Sequence, residues 1–328
     1  MCFDLSKAYD NLNHAKIIMK LKAASFPSGF LIWLSDYFHC RYSQIKIHGQ
    51  LSQPFPIETG VAQGSVLSPF IFASFASDLE CARKETRMIQ YADDINYVLP
   101  IASRGSSDVS EYIKEEVENV EHWCVQKDFV LNKSKSRIMM VSNRHKTFQC
   151  GVYCESISMV NEMRILGVVF NSDWNWNSHI HQVCKMARKR LYLLRKLRPL
   201  VSRNDLHLVY TSCVRSVIEY ASPVFVGLNK TLSKRLEKID RRAHRVMFHD
   251  EEFNCECGMD NIRLRRCQAA KKLFKVATNK EDHMLHRLIP QCHRYTGRRI
   301  MPYSRTETRR SSFVPFTTCL LNDLNECC

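Results

Sequence analysis

Acidic side chains at two points of the chain could hold divalent metal ions. Asp93 and Asp94 are adjacent in a Tyr-Ala-Asp-Asp run, at the bend of a predicted strand–turn–strand over 88–100, and Asp4 follows a short predicted strand. Carboxylate oxygens are the hard ligands that Mg²⁺ prefers. Two such ions about 3.5–4 Å apart can support phosphoryl transfer from a nucleoside triphosphate. Each signal alone also fits a structural role, because Asp-Asp is common in solvated turns and an Asp after a strand often caps a helix.

The elements that would position these carboxylates alternate between strand and helix up to about residue 145. Helices are predicted over Ser6–Ala24, Phe30–His39, from Pro69 onward and over Ser106–Cys124, and further strands over Gln44–Ile47, Gln53–Thr59, Val130–Val141 and Ile165–Phe170. This alternation predicts an α+β fold, a mixed sheet with helices on one face. From His179 onward helix dominates, with predicted helices from His179, over Asn204–Ile218, over Leu232–Met247 and over Leu264–Ala277, and the Arg-rich tail from Arg298 is predicted as loop.

The charge of the chain points to a polyanionic partner. The formal net charge is +15, and the segment 183–249 alone holds 16 Lys/Arg against 4 Asp/Glu. A solvated basic surface would also explain one charge run. A cluster on helices that supplies most of the excess favours a phosphate-binding face.

Cysteine usage and hydropathy bear on the compartment. The 15 cysteines are irregularly spaced, and no charged and then apolar leader precedes them, so we expect reduced thiols and an intracellular protein that is not secreted. No apolar run approaches the roughly 20 residues of a membrane span, so we expect no membrane partner.

Five short motifs place the acidic residues in a longer pattern. In order along the chain they are Phe3–Asp10, Gly60–Pro69, Tyr91–Asp94, Leu131–Lys135 and Ile165–Val168. Their order and spacing resemble the palm motifs of reverse transcriptases. The residues of these motifs, and those of the segments Ser216–Phe225 and Leu236–Ala243, are similar to the sequences of non-LTR retrotransposons, particularly the jockey-like group.

The resemblance implies an RNA-directed DNA polymerase. Asp4, Asp93 and Asp94 would hold two Mg²⁺ ions, for which Mn²⁺ could substitute. The partners would be an RNA template, a DNA primer and deoxynucleoside triphosphates, and no protein partner is implied. The fold implied is a palm over 1–145, a palm–thumb hairpin over 146–172, a basic helical thumb over 173–250 and a helical, Arg-rich tail over 251–328.

The resemblance also assigns roles to residues around the carboxylates. Tyr9 would exclude a ribose 2′-hydroxyl, Gln63 and Gly64 would lie under the nascent base pair, and Lys135 would act near the triphosphate. The residues that would contact the template–primer hybrid are Leu166, Gly167, Lys185, Arg188, Lys189, Arg190, Arg195, Lys196 and Arg198.

Three further expectations concern departures and alternatives. The sequence opens with Met1 three residues before Asp4, so we expect a fragment without the fingers and endonuclease of the family, which would bind metal but not carry out processive synthesis. The alternative function is a catalytically inactive RNA-binding remnant. A zinc site in the tail is a third possibility, although the spacing fits no common ligand pattern. Its candidate ligands are Cys255, Cys257, Cys267, His283, His286, Cys292 and His293.

Overall fold

A computed structural model of the chain describes residues 1–100, 106–141, 157–248, 261–293 and 298–322. The chain divides into two compact units, Met1–Leu166 and Gly167–Cys328. The first mixes strands and helices and the second is mainly helical, so the predicted α+β class is confirmed.

The first unit contains short strands and four helices among its described residues. The strands are β1 (Cys2–Phe3), β2 (Leu5–Ser6), β3 (Tyr42–Ser43), β4 (Lys46–Ile47), β5 (Gln50–Leu51), β6 (Phe55–Pro56), β7 (Arg87–Tyr91), β8 (Asp94–Val98), β9 (Val130–Leu131), β10 (Arg137–Ile138), β11 (Ser158–Met159) and β12 (Glu162–Ile165). The helices are α1 (His14–Ala23), α2 (Ser28–Phe38), α3 (Ser68–Ala76) and α4 (Ser106–Lys127).

A five-stranded mixed sheet organises the first unit. Its order is β11-β10-β1-β8-β7, and only the β10–β11 pair is parallel. The short central strand β1 lies between β10 and β8, and its Phe3 is buried and packs edge-on against Tyr97 of β8. The chain segment that leads to Asp4 is therefore fixed on both sides by neighbouring strands.

Helices α1, α3 and α4 contribute the apolar core of this unit. Buried side chains at helical spacing, such as Val109, Ile113, Val117 and Val120 of α4, join one continuous core with Phe3 of the sheet. Removing this much apolar surface from water is the main stabilising contribution, about 25 cal/mol for each Å² buried.

The second unit is built from helices that follow one strand. Its elements are β13 (Val168–Asn171), α5 (Asn177–Leu197), α6 (Arg203–Val209), a π-helical turn (Tyr210–Arg215), α7 (Ser216–Glu219), α8 (Lys230–Phe248), α9 (Ile262–Asn279), α10 (Glu307–Arg310) and α11 (Phe313–Leu321), with 3₁₀ turns at Ser222–Phe225 and His286–Leu288. The leucine stripe of α5 (Leu191, Leu194) is buried against α8 residues such as Leu236 and Ile239.

The structure corrects several predicted boundaries. The first helix begins at His14 and not at Ser6, because Lys7 has a positive φ of 48° and the Asn13 side chain caps the helix by accepting from the Lys16 amide. The long strand predicted over Val130–Val141 is two short strands around a turn. The tail from Arg298 is not all loop, since α11 buries Thr317, Cys319 and Leu320.

Cysteine state and membrane-spanning potential can be stated for the described residues. Eight cysteines are free thiols, whereas Cys319 is disulfide-bonded, which departs from the expectation of reduced thiols throughout. In the part of the chain that the structure describes, the helices are all too short or too polar to cross a membrane.

Candidate functional site

Strand pairing brings the first acidic residue to the other two. In the antiparallel β1–β8 ladder Cys2 pairs with Asn96 and Phe3 with Ile95, so the next step of the same register sets Asp4 opposite Asp94. Asp94 in turn pairs with Tyr91 across the β7–β8 hairpin, which leaves Ala92 and Asp93 as its two-residue loop. Asp4 and Asp94, 90 positions apart in the sequence, therefore meet at the same end of the sheet.

The electrostatics of this edge agree with the strand register. Burial raises the pKa of the Asp94 carboxyl, and the negative charges of Asp93 and then Asp4 raise it further. Like charges disfavour one another's ionised form, so this shift reports three carboxylates within electrostatic reach.

The segment that follows β9 is tied to Asp4 by its backbone. The Asn132 amide donates to the Asp4 carbonyl (2.8 Å), and the Asp4 amide donates to the Ser136 hydroxyl (3.1 Å). The Asn132 side chain accepts from the Lys135 amide and so closes the turn between them. As a result the Lys135 ammonium lies 4.0 Å from an Asp4 carboxylate oxygen.

Tyr9 lies near Asp93, and its ring packs against an aromatic side chain of α3. The ring stacks on Phe72 of α3 at a centroid distance of 4.8 Å and an interplanar angle of 20°. Burial raises the pKa of the Tyr9 hydroxyl, and the charge of Asp93 and an ionised Tyr91 raise it further. The phenol is thus close enough to the hairpin tip for the charge of Asp93 to affect its pKa.

A glycine-flanked loop is docked onto the residues after Tyr9. The Gly60 amide donates to the Leu12 carbonyl (2.7 Å) and the Val61 amide to the Tyr9 carbonyl (2.9 Å). Gly60 has a φ of 82°, and a Cβ there would lie 2.6 Å from the Asp10 carbonyl oxygen. Only glycine permits that approach.

The exposed end of the same loop carries Gln63 and Gly64. The Gln63 side-chain amide donates to an Asp10 carboxylate oxygen at 3.1 Å. Gly64 has a φ of 89°, and a Cβ there would meet nothing within 4 Å. This end of the loop therefore carries a side-chain amide anchored to Asp10 and a backbone with open space around it.

The donor set suits a hard divalent cation, but the side chains do not enclose one as they stand. Three carboxylates at one edge are the oxygen ligands that Mg²⁺ takes. Within the described ranges, no three His, Cys, Asp or Glu side chains are grouped closely enough to hold an ion. The candidate zinc ligands Cys267, His283, His286, Cys292 and His293 are among these residues and form no such group, whereas Cys255 and Cys257 lie outside the described residues.

The basic side chains that are predicted to contact nucleic acid lie on one helix of the second unit or at its C-cap. Lys185, Arg188, Lys189, Arg190, Arg195 and Lys196 are exposed on α5, and Arg198 is its half-buried C-cap. Arg190 also donates to the Cys213 carbonyl (2.7 Å), so part of its guanidinium is used within the fold.

Leu166 and Gly167 fall at the division between the two units. Leu166 has a φ of 46° and an exposed side chain, and Gly167 has a φ of 83°. A Cβ on Gly167 would lie 3.2 Å from the Tyr220 ring, so the glycine allows that ring to approach the backbone.

Sequence reasoning missed residues that act through others. The Asp10 carboxylate accepts a hydrogen bond from the Gln63 side chain, and the Ser136 hydroxyl accepts one from the Asp4 amide. Asp10 belongs to the first motif, but no local signal shows that its carboxylate faces a loop 50 residues away. Arg242 and Arg245 of α8, which share a pocket with Arg195 and Arg198, were also missed, because that grouping depends on how two helices pack.

Comparison with known proteins identifies relatives of both units. Residues 1–170 match the family model "Reverse transcriptase (RNA-dependent DNA polymerase)". The chain is 25% identical over 310 residues to the RNA-directed DNA polymerase from mobile element jockey of Drosophila funebris, covering 88% of this chain and 33% of that protein.

Two further relatives come from Drosophila melanogaster. The probable RNA-directed DNA polymerase from transposon BS is 23% identical over 259 residues, covering 74% of this chain and 28% of that protein. The one from transposon X-element is 21% identical over 272 residues, covering 80% and 29%. The chain thus spans about a third or less of the length of these curated relatives.

Proposed function

Because the chain belongs to the reverse transcriptase (RNA-dependent DNA polymerase) family and is similar to the polymerases of jockey-like non-LTR retrotransposons, we propose that it carries the catalytic edge of an RNA-directed DNA polymerase. In this proposal the first unit contains the palm and the second contains the thumb. The substrates are an RNA template, a DNA primer and deoxynucleoside triphosphates.

One observation supports the catalytic proposal more than any other. The β1–β8 register sets Asp4 opposite Asp94, beside Asp93 at the hairpin tip. These residues are far apart in sequence, and burial together with the charges of Asp93 and Asp4 raises the pKa of Asp94. A fold without a cation to bind there would gain nothing from this repulsion.

Asp4, Asp93 and Asp94 are the proposed ligands of two Mg²⁺ ions, with Mn²⁺ as a substitute. When bound, such ions activate the primer hydroxyl and neutralise the leaving pyrophosphate. The protein's own part is to bring the three carboxylates together, and Lys135 beside Asp4 supplies a positive charge there.

The residues around the edge would select and orient the nucleotide. Tyr9, whose ring is fixed by Phe72, is proposed to fill the space of a ribose 2′-hydroxyl. Gln63 and Gly64 are proposed to lie under the nascent pair. Since the Gln63 nitrogen donates to Asp10, its carbonyl oxygen is the end left to face a ligand.

The basic residues of the second unit would hold the template–primer hybrid. Lys185, Arg188 and Lys189 are exposed along one helix, where they can meet successive phosphates without reading sequence. Leu166 and Gly167 are proposed to contact the primer strand.

Primer extension tests the catalytic proposal. The protein is this chain fused behind the segment that precedes the matched region in the jockey polymerase of Drosophila funebris, given an RNA template, a DNA primer and one deoxynucleoside triphosphate. Asp93→Asn should abolish incorporation. Asp36→Asn, the same change at an exposed position of α2, is the matched control and should leave it unchanged.

A catalytically inactive RNA-binding remnant is the second candidate, favoured by the basic helices of the second unit. It gives a different result in the same assay. The hybrid would bind with equal affinity to both variants, and the unsubstituted protein would incorporate nothing. Incorporation that survives Asp93→Asn would contradict both candidates.

A further inference from the structure

A cavity of about 690 Å³ in the second unit is lined by four arginines. Arg195 and Arg198 come from the end of α5, Arg242 and Arg245 come from α8, and Val246 is the remaining lining residue. The shared lining places the C-terminal end of α5 beside the C-terminal part of α8.

Charge compensation within the described chain does not account for this grouping. Among the described residues, Arg195, Arg242 and Arg245 have no acidic side chain within ion-pair distance. Two helix C-termini contribute about half a negative charge each, which offsets about one positive charge. The helix dipole also acts only within the last turn, and Arg242 lies six residues before the end of α8. Of the three positive charges of Arg195, Arg242 and Arg245, about two are therefore left without compensation among the described residues.

The chemistry of the lining selects phosphate groups. Guanidinium forks bind phosphate oxygens in pairs. The lining side chains include no aromatic ring on which a base could stack and no hydrogen-bond acceptor that could recognise one. The pocket also continues the exposed basic row of Lys185, Arg188 and Lys189 along α5. These features fit an extended polyanion better than a free nucleotide.

We propose that this arginine pocket holds adjacent phosphates of a nucleic-acid backbone, with Arg242 and Arg245 as binding residues. The inference rests on the proposed function only for its choice of nucleic acid as the partner. The proposed nucleic-acid interface then includes α8 as well as α5, from which alone the sequence predicted contacts. The phosphates would lie in a pocket between side chains of both helices.

The test is the salt dependence of binding of a fluorescent RNA–DNA hybrid to the full chain. Each lost phosphate contact makes the slope of log affinity against log salt less steep by about 0.9. The Arg242→Gln/Arg245→Gln pair should therefore flatten it by about 1.8. The Arg242→Lys/Arg245→Lys pair, which keeps the charge, should preserve most of the slope.

The matched control removes the same charge from the same helix outside the pocket. Lys234 and Arg241 are exposed on α8 and do not line the cavity. The Lys234→Gln/Arg241→Gln pair should change the slope by less than half as much. All four side chains changed in the two pairs are exposed, and unchanged far-ultraviolet circular dichroism verifies folding.

Three results would overturn the inference. Equal flattening by the pocket and control pairs would mean a diffuse charge effect, and an unchanged slope in the pocket pair would remove it from the interface. Inorganic tripolyphosphate could stabilise the unsubstituted chain but not the pocket pair. If the hybrid slope of the pocket pair were unchanged at the same time, the pocket would be a site for small anions. Asp93→Asn should leave hybrid binding intact. A failure of the catalytic proposal in the incorporation assay can therefore be distinguished from a failure of the pocket proposal in the binding assay.

Discussion

Two glycines of one loop allow a direct test of how that loop is docked. Gly60 and Gly64 both have a positive φ, of 82° and 89°, but their surroundings differ. An added Cβ on Gly60 would lie 2.6 Å from the carbonyl oxygen of Asp10 and within 2.9 Å of two further backbone atoms of that residue. An added Cβ on Gly64 would meet open space.

The two alanine variants should therefore differ by their steric cost alone. An L-residue held at positive φ costs on the order of 1–3 kcal/mol at either position. Overpacking against backbone that cannot move aside adds about 1–3 kcal/mol at Gly60 only. Gly60→Ala should lower the free energy of unfolding by that extra amount relative to Gly64→Ala.

Urea unfolding measures this difference. The fluorescence of Trp33 and Trp123 reports on the first unit when Trp174 and Trp176 are replaced by Phe in all variants. Gly60→Ala should also weaken the Gln63–Asp10 contact, because the loop must move away from Asp10. Equal destabilisation by the two substitutions would refute the close approach of the loop to Asp10.

Three further predictions concern charge and positioning. Burial and the charges of Asp93 and Asp4 raise the pKa of Asp94, so the stability of the fold decreases as pH rises through the titration of Asp94. Without metal, Asp93→Asn should therefore raise the free energy of unfolding at pH 7 by about 0.5 kcal/mol. Urea unfolding at several pH values measures this gain, which should vanish below a pH of about 3.9. Burial opposes ionisation of Asp78, but hydrogen bonds from Lys127, Trp123 and Lys20 outweigh it and lower its pKa from 3.8 to about 2. Stability should therefore fall by about 1 kcal/mol, after solvent screening, as pH falls across that window, and Asp78→Asn should remove this loss. Asp10→Ala should raise the nucleotide concentration for half-maximal incorporation severalfold, whereas Asp10→Asn, which keeps an acceptor oxygen for Gln63, should not; equal effects would assign Asp10 no positioning role.

Sequence patterns predicted the elements with a strong period and missed those set by tertiary contacts. Helices α4, α5 and α8 follow from apolar spacing and lie within a few residues of their predicted bounds. The start of α1 was misplaced because the residues before it satisfy their backbone groups in a turn around Lys7, which hydrophobic spacing does not reveal.

The candidate site divides in the same way. Asp4, Asp93 and Asp94 could be identified from motif order, and their roles remain a proposal. The contact between Asp10 and Gln63 joins residues that are far apart in the chain, and the arginine pocket depends on how α5 packs beside α8. Such long-range pairings carry no periodic signal in one sequence.

Binding of Mn²⁺ tests most directly whether the three carboxylates act as one site. Electron paramagnetic resonance would count the bound ions in the chain with a template–primer hybrid and a deoxynucleoside triphosphate present. Asp4→Asn should lose bound Mn²⁺ as Asp93→Asn does, and Asp36→Asn should retain it. Full retention by Asp4→Asn, with loss only in Asp93→Asn, would contradict a site shared across the sheet edge.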